Sequence, residues 1–453
     1  MKPQQLKKLE RELEEFIGKL TTKLGRPERL EALRLYITGL LLDGERKSIQ
    51  PLAARLVDSD AEVEAMRQRL QQAVVVSGWD DDVVRSRLAN LVQREMPGLE
   101  VIVFDDTGFP KKGAYSVGVA RQYSGTLGRT DNCQVATSVH VAGEKGSVCV
   151  GMQLYLPEEW TSDAKRLRAV GVPETVEFKR KWEIALDLLD RARRAGVRLP
   201  VALADAGYGD AVSFRDGLRE RGLQYIVGVA GNHLVWPPGA SPRIPKRVAG
   251  SNGRPPTRFV DPKHEPISID ALARSLPKSA FRRVSWREGI RGRQSSRFAC
   301  LRVRPAELHT KGRPPDEEHW LICEWPEGEN SPSKFQLSSL PASTSVKELI
   351  RLMKLRWRVE RDYQELKGEI GLDHFEGRTW RGFHHHATLC SAAHAFLALR
   401  RALFPPEHPE LDARDGAAPS PSRPAPAHWL LPALSKAVRG PRTAARTLPH
   451  VIR

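Results

Sequence analysis

The sequence predicts an α/β chain: a mixed sheet that carries a β-rich insertion and follows an N-terminal all-α segment. Three observations lead there. Apolar residues recur at three-to-four spacing over the first ~95 residues, the period of helices buried along one stripe. After that, short apolar runs alternate with amphipathic stretches, as strands and helices do in one layered unit. Between about 232 and 338, Pro, Gly and Arg punctuate short β-like pieces.

In the N-terminal stretch (1–95), Leu6, Leu9, Leu13, Phe16, Ile17 and Leu20 form one stripe. Leu30, Leu33, Ile37, Leu40 and Leu41 form a second, interrupted by Gly44 and Pro51. Two further helices are expected after Asp60 and Asp80, both good N-caps. The acidic run Asp80-Asp81-Asp82 reads as a helix start, where carboxylates suit the dipole, not as a metal site. A helix-turn-helix DNA reader and a packed bundle of no special role both satisfy this pattern.

The mixed sheet starts in the next stretch (96–231). Residues 101–104 read as a strand ending in Asp105-Asp106. Strands at 135–141 and 148–156 follow, joined near Gly143 and Gly146. A helix at 174–195, a strand at 200–204 ending in Asp205, a helix at 211–221 and a strand at 224–229 complete it. The insertion (232–338) shows strand-like pieces at 281–286, 297–303 and 320–324. Helices at 346–368 and 385–403 return to the first unit (339–403). A Pro/Ala/Ser/Arg linker and basic tail (404–453) read as disordered.

A chain of 453 residues is too long for one ordinary core, so two or three domains are expected. Lys and Arg number 72 against 55 Asp and Glu, for a net charge of +17. That balance suits a polyanion, because each cation on a phosphate releases a counterion; a basic surface without a role is the alternative. Cys133, Cys149, Cys300, Cys323 and Cys390 form no CxxC pair and imply reduced thiols in a cytoplasm. The opening segment is charged and amphipathic rather than a secretory signal, and no run nears the ~20 apolar residues of a membrane span.

Two expected strand ends carry carboxylates: Asp105-Asp106-Thr107, and Asp205 in Leu203-Ala-Asp205-Ala-Gly-Tyr-Gly. Ligands gather at the carboxyl ends of strands in open α/β sheets. Hard oxygens there suit Mg²⁺ or Mn²⁺, and a pair of such ions supports phosphoryl transfer. Such aspartates also serve as plain turn formers or N-caps. Lys111-Lys112 fits either phosphate tracking or a soluble loop. His384-His385-His386 with Cys390 is not read as a zinc site, since consecutive helical residues point about 100° apart; a solvated or DNA-facing turn is expected.

A late helical stretch reads Arg356-Trp-Arg-Val-Glu360-Arg-Asp-Tyr-Gln-Glu365-Leu-Lys367. It resembles the Tyr-x2-Arg-x3-Glu-x6-Lys signature of bacterial insertion-sequence transposases of the DDE superfamily. Arg356, Glu360 and Lys367 match, while Met353 stands where Tyr is usual. Asp105-Asp106-Thr107-Gly-Phe109 is similar to the family's first-strand D-x-T-x-[LF], and Leu203-Ala-Asp205 to its second-Asp strand. The long β-rich insertion before the Glu is also characteristic. The resemblance covers about residues 95–400.

The resemblance implies an RNase H-like sheet and metal-dependent DNA cleavage and strand transfer at the inverted repeats of an insertion sequence. It implies two Mg²⁺ or Mn²⁺ ions on Asp105, Asp205 and Glu360, with Asp106 as the alternative to Asp105. Arg356 and Lys367 would meet phosphates. Double-stranded DNA, both transposon ends and target, would be the partner of a homodimer in the nucleoid. Trp320 would stack a flipped base, with Trp286 and Trp325 as competitors and a plain core Trp as the alternative. A host or domesticated nuclease keeps the same fold, and a non-catalytic DNA-binding regulator is a reading from another class.

Three acids crowd the late helix. Leu352, Leu355, Val359, Tyr363, Leu366 and Ile370 form the stripe expected to pack on the sheet. Arg356, Glu360 and Lys367 share a face beside it. Glu365 points away from the stripe and is expected to be solvated. Glu369 lies on the other flank, so only the family spacing separates it from Glu360. A simple i,i+4 ion pair of Arg356 with Glu360 is the bland alternative.

Overall fold

A computed structural model describes residues 3–246, 256–289, 292–307, 309 and 314–404. The linker and basic tail expected beyond Phe404 lie outside the described residues. Five helices come first: α1 (Pro3–Thr21), α2 (Pro27–Leu41), α3 (Ile49–Leu56), α4 (Asp60–Gln71) and α5 (Asp81–Glu95). The side chain of Asp80 caps α5 by accepting the Asp82 amide, as expected. At α4 the cap is Ser59, one residue before the Asp60 anticipated.

Strands β1 (Leu99–Pro110), β2 (Ala120–Ser124), β3 (Arg129–Gly143) and β4 (Gly146–Leu154) follow. Then come short α6 (Glu158–Thr161) and α7 (Ala164–Ala169), α8 (Lys181–Arg194), β5 (Val201–Ala204), α9 (Ala206–Gly209), α10 (Val212–Glu220) and β6 (Gln224–Val229). The insertion holds β7 (Leu234–Trp236), β8 (Ile267–Ser268), α11 (Ile269–Ser275), β9 (Arg282–Gly289), β10 (Gly292–Pro305), β11 (His319–Trp325) and β12 (Lys334–Ser338). α12 (Val346–Lys354), α13 (Trp357–Gly368) and α14 (Trp380–Leu403) close the described chain.

β4, β3 and β1 pair antiparallel, and β1, β5 and β6 pair parallel. This order gives the mixed sheet of an RNase H-like fold. The insertion strands extend that sheet, because β12 zips antiparallel onto the edge of β6 and β11 and β10 follow it. β12 was not anticipated: five residues among Ser and Pro carry too little apolar signal, yet they join core to insertion.

Three expectations need correction. β1 does not end at Phe104. It runs on to Pro110 because β3 pairs with it throughout, and only its pairing with β5 stops at Val103↔Leu203. The expected helix at 346–368 is two helices, broken at Leu355-Arg356 without a Gly or Pro. α8 begins at Lys181 rather than near 174, where the Glu183 carboxylate accepts the Arg180 amide.

Side chains alternate across the sheet. Ile102, Phe104, Ala202 and Ala204 face a large core that also contains Leu9, Leu33, Leu88, Ile184 and Leu389, so the N-terminal helices share it with the sheet. Val101, Val103, Val201 and Leu203 face the opposite core, with Leu349, Leu352, Leu355 and Val359 of α12 and α13. α14 is buried nearly all round, between α2, α5 and β4.

Candidate active site

The sheet register decides which aspartates meet. The last parallel pair is Val103↔Leu203. Two residues on come Asp105, still on β1, and Asp205, just past the end of β5 at the start of α9. With a period of two, both continue the series that faces α12 and α13, whereas Asp106 faces the other way. The contacts agree. Asp105 Oδ2 accepts from Arg356 Nη1, just before α13, at 2.9 Å. Asp106 Oδ2 meets Lys181 Nζ at the start of α8, at 2.8 Å.

Arg356 reaches further. Its Nη2 lies 3.3 Å from Glu360 Oε1, so one guanidinium spans Asp105 and Glu360. The Glu360 side chain is 63% exposed and that of Asp105 14%. Asp205 and Glu360 line one cleft, together with Arg356, Trp357, Lys354 and Glu324. Glu324 was missed. It is buried on β11, with Lys354 Nζ 2.8 Å from both its carboxylate oxygens. The signal available was a lone acid inside an apolar strand.

Burial pushes the Asp105 carboxyl up to about 7; Arg356 opposes the rise, and Asp205 and Asp106 add to it. Burial also raises Asp205, again with Arg356 opposing and Asp106 reinforcing. Asp205 Oδ1 is buried without a hydrogen-bond partner among the described residues. Crowded, desolvated carboxylates with an unpartnered oxygen are the donor set of a hard divalent cation, so these residues fit one. As they stand, no three His, Cys, Asp or Glu among the described residues are drawn up around a common ion position. Arg356 occupies both Asp105 and Glu360.

The expected DNA contacts are scattered. Burial lowers Lys367 to about 8, and its Nζ donates to Gly108 O of β1 at 2.8 Å. Lys111 Nζ donates to Phe375 O at 3.0 Å, and Lys112 is exposed. Trp320 is half-buried on β11, its indole N–H donating to Pro341 O at 3.0 Å, and it does not line the cleft. Trp286 lies under Lys354, with Nζ 4.3 Å from the ring centre, and Trp325 is buried 5.3 Å from Phe281, ring centre to ring centre. The aromatics that line the cleft are Phe335 and Trp357, neither of them expected there from the sequence.

Two side-chain expectations fail. Glu365 is not solvated: it is buried between α13 and α14, bonded to Arg361, Arg401 and His394. Amphipathic periodicity assumed one packed face, but α13 lies between the sheet and a second helix. The three histidines are likewise no exposed turn. They are buried in α14, where His384 accepts from the Leu154 amide, His385 donates to the Val74 carbonyl and His386 is hydrogen-bonded with the Tyr36 hydroxyl. Burial lowers His384 and His386 to about 4.

An RNase H-like sheet with Asp105 on one strand, Asp205 just past its parallel neighbour, and Glu360 in the same cleft as Asp205 makes up the candidate site. The chain belongs to the DDE superfamily of endonucleases, whose family model matches residues 19–293. Endonucleases of this superfamily use divalent metal ions. Over 207 residues the chain is 33% identical to a probable transposase for insertion sequence element IS701 from Microchaete diplosiphon, covering 45% of this chain and 50% of that protein. The chain thus spans about half the length of the curated relative it matches. The family match ends before α13, so Glu360 rests on its position over the aspartates. Among the described residues no helix is long and apolar enough to cross a membrane.

Proposed function

We propose that the chain is an insertion-sequence transposase that cleaves DNA at the inverted repeats of its element and transfers the strand. The observation that carries this reading is one cleft lined by Asp205, Glu360 and Arg356, with Arg356 also bonded to Asp105, in a chain of the DDE endonuclease superfamily. Asp105, Asp205 and Glu360 hold the metal. Two Mg²⁺ or Mn²⁺ ions, when bound, would activate the attacking oxygen and stabilise the leaving one. Asp106 is tied to Lys181 on the opposite face and supports the sheet side of the site. Arg356 and the exposed Lys112 meet phosphates, as part of a basic surface on a chain of net charge +17. Trp357, which lines the cleft, joins Trp320 as a candidate to stack a displaced base. The active species on DNA is a homodimer, bringing two element ends together.

The test uses a plasmid carrying the DNA that flanks the gene. Mg²⁺-dependent cleavage at the element ends, followed by joining to a target, is the expected result. Asp205→Asn should abolish cleavage yet leave DNA retention in a gel unchanged, because binding is spread over many cations. Cleavage without joining would point to a nuclease; metal-independent binding with no cleavage would point to a regulator.

A further inference from the structure

We propose that Arg356 and a divalent ion compete for Asp105 and Glu360, so that a DNA phosphate, by drawing Arg356 away, raises the affinity of the site for metal. This rests on the metal-dependent reading above and adds a coupling between metal and DNA. Both oxygens of Asp105 are committed: Oδ1 accepts the Asp106 amide at 2.8 Å and Oδ2 accepts Arg356 Nη1 at 2.9 Å. An ion at Oδ2 would share that oxygen with a guanidinium of like charge, so the two oppose each other. The same guanidinium holds Glu360 Oε1 at 3.3 Å, so a single cation bridges the two carboxylates an ion would bridge. Asp205 Oδ1 is left without a partner among the described residues.

The displaced group has somewhere to go. Arg356 is 31% exposed and lines the open cleft. Its planar fork suits a phosphate as well as a carboxylate. Linkage then works both ways: if metal releases Arg356 to DNA, DNA must tighten metal binding by the same factor.

The experiment is Mn²⁺ binding to the full chain, followed by the electron paramagnetic resonance signal of free Mn²⁺. It is run with and without saturating duplex DNA, and the binding by DNA alone is subtracted. Without DNA, Arg356→Gln should bind Mn²⁺ roughly 3- to 10-fold more tightly than wild type, the worth of a partly exposed ion pair. Arg356→Lys keeps the charge but spans one carboxylate at a time, and should fall between them. DNA should tighten Mn²⁺ binding several-fold in wild type and much less in Arg356→Gln. Unchanged or weaker binding by Arg356→Gln, or equal tightening by DNA in both, overturns the proposal. Asp205→Asn separates the two levels. If it removes Mn²⁺ binding while Arg356→Gln has no effect, only the competition fails. If it changes nothing, the carboxylate site itself is wrong.

Discussion

Glu360 and Glu365 sit five residues apart on α13 and are held in opposite ways. Glu360 leans into the cleft, 63% exposed, with Arg356 at 3.3 Å. Glu365 is 4% exposed and saturated, taking Arg361 at 2.8 Å, Arg401 at 2.5 Å and His394 at 3.2 Å. Its neighbour Asp362 is similar, with His140 Nδ1 at 2.7 Å and the Ser147 hydroxyl at 2.6 Å. One face of the helix therefore anchors it to β3, β4 and α14, and its first turn presents a loosely held acid. A carboxylate whose lone pairs are all taken cannot accept an exchangeable cation. One with a single long contact can.

The largest expected effect falls on the loose acid. Glu360→Gln should lower single-turnover cleavage by more than about 1000-fold, some 4 kcal/mol of barrier. Its melting temperature should move by no more than about 2 °C, since an exposed pair contributes little. A melting temperature that falls with activity would place Glu360 among the anchors.

The saturated acid should behave in reverse. Glu365→Ala leaves Arg401 and His394 buried without their carboxylate, a loss of about 3–5 kcal/mol in urea denaturation. Cleavage per folded molecule should stay near wild type. Acid sharpens the contrast. Burial opposes ionisation of Glu365, but His394 and Arg401 outweigh it and hold its pKa well below the ordinary value. That stability is present above about pH 4.3 and is lost as pH falls below it. The acid side of the stability curve should therefore be flatter in Glu365→Gln.

Periodicity and spacing explain what was legible in the sequence. β6, the β3–β4 hairpin and the N-terminal helices follow from local patterns, because each buries one face or one stripe. Asp105 and Asp205 were visible as acids beside apolar runs, and Arg356 and Glu360 through a resemblance. What escaped depends on contacts distant in sequence. Glu365 and the three histidines face α14 or its neighbours, a second layer that no helical wheel reveals. β12 is specified by the free edge of β6. The cleft wall formed by Glu324 and Lys354 exists only because the insertion extends the core sheet.

A smaller effect tests the site side of the comparison through stability alone. Burial raises the Asp105 carboxyl to about 7, above its unfolded value of about 3.8. For such an acid the fold is best off below about pH 4, and stability is lost as pH rises towards 7. Asp105→Asn removes that penalty. In metal-free buffer at pH 8 it should be more stable than wild type by about 1–3 kcal/mol, and the gap should close towards pH 4. Differential scanning fluorimetry across this range reads it directly. A variant less stable than wild type at pH 8 would mean that Arg356 already neutralises Asp105.

The smallest effect is expected at Tyr363, midway between the two faces of α13. Its hydroxyl lies 2.6 Å from Ser138 Oγ, which also sits 3.0 Å from His140 Nε2 and 3.4 Å from the Asp105 carbonyl oxygen. The hydroxyl thus links the buried Asp362–His140 pair to the backbone of the candidate metal ligand. Tyr363→Phe removes one hydrogen bond but strands no buried group, because Ser138 keeps His140. The cost should be about 1 kcal/mol, the net worth of a single bond. Ser138→Ala takes the partner from both Tyr363 and His140 and should cost about twice as much. Cleavage by Tyr363→Phe should fall by less than about 3-fold, because the ring still packs and α13 keeps its anchors. A loss above 100-fold at unchanged melting temperature would show that the anchoring face also sets the chemistry, and the division between loose and saturated acids on α13 would no longer hold.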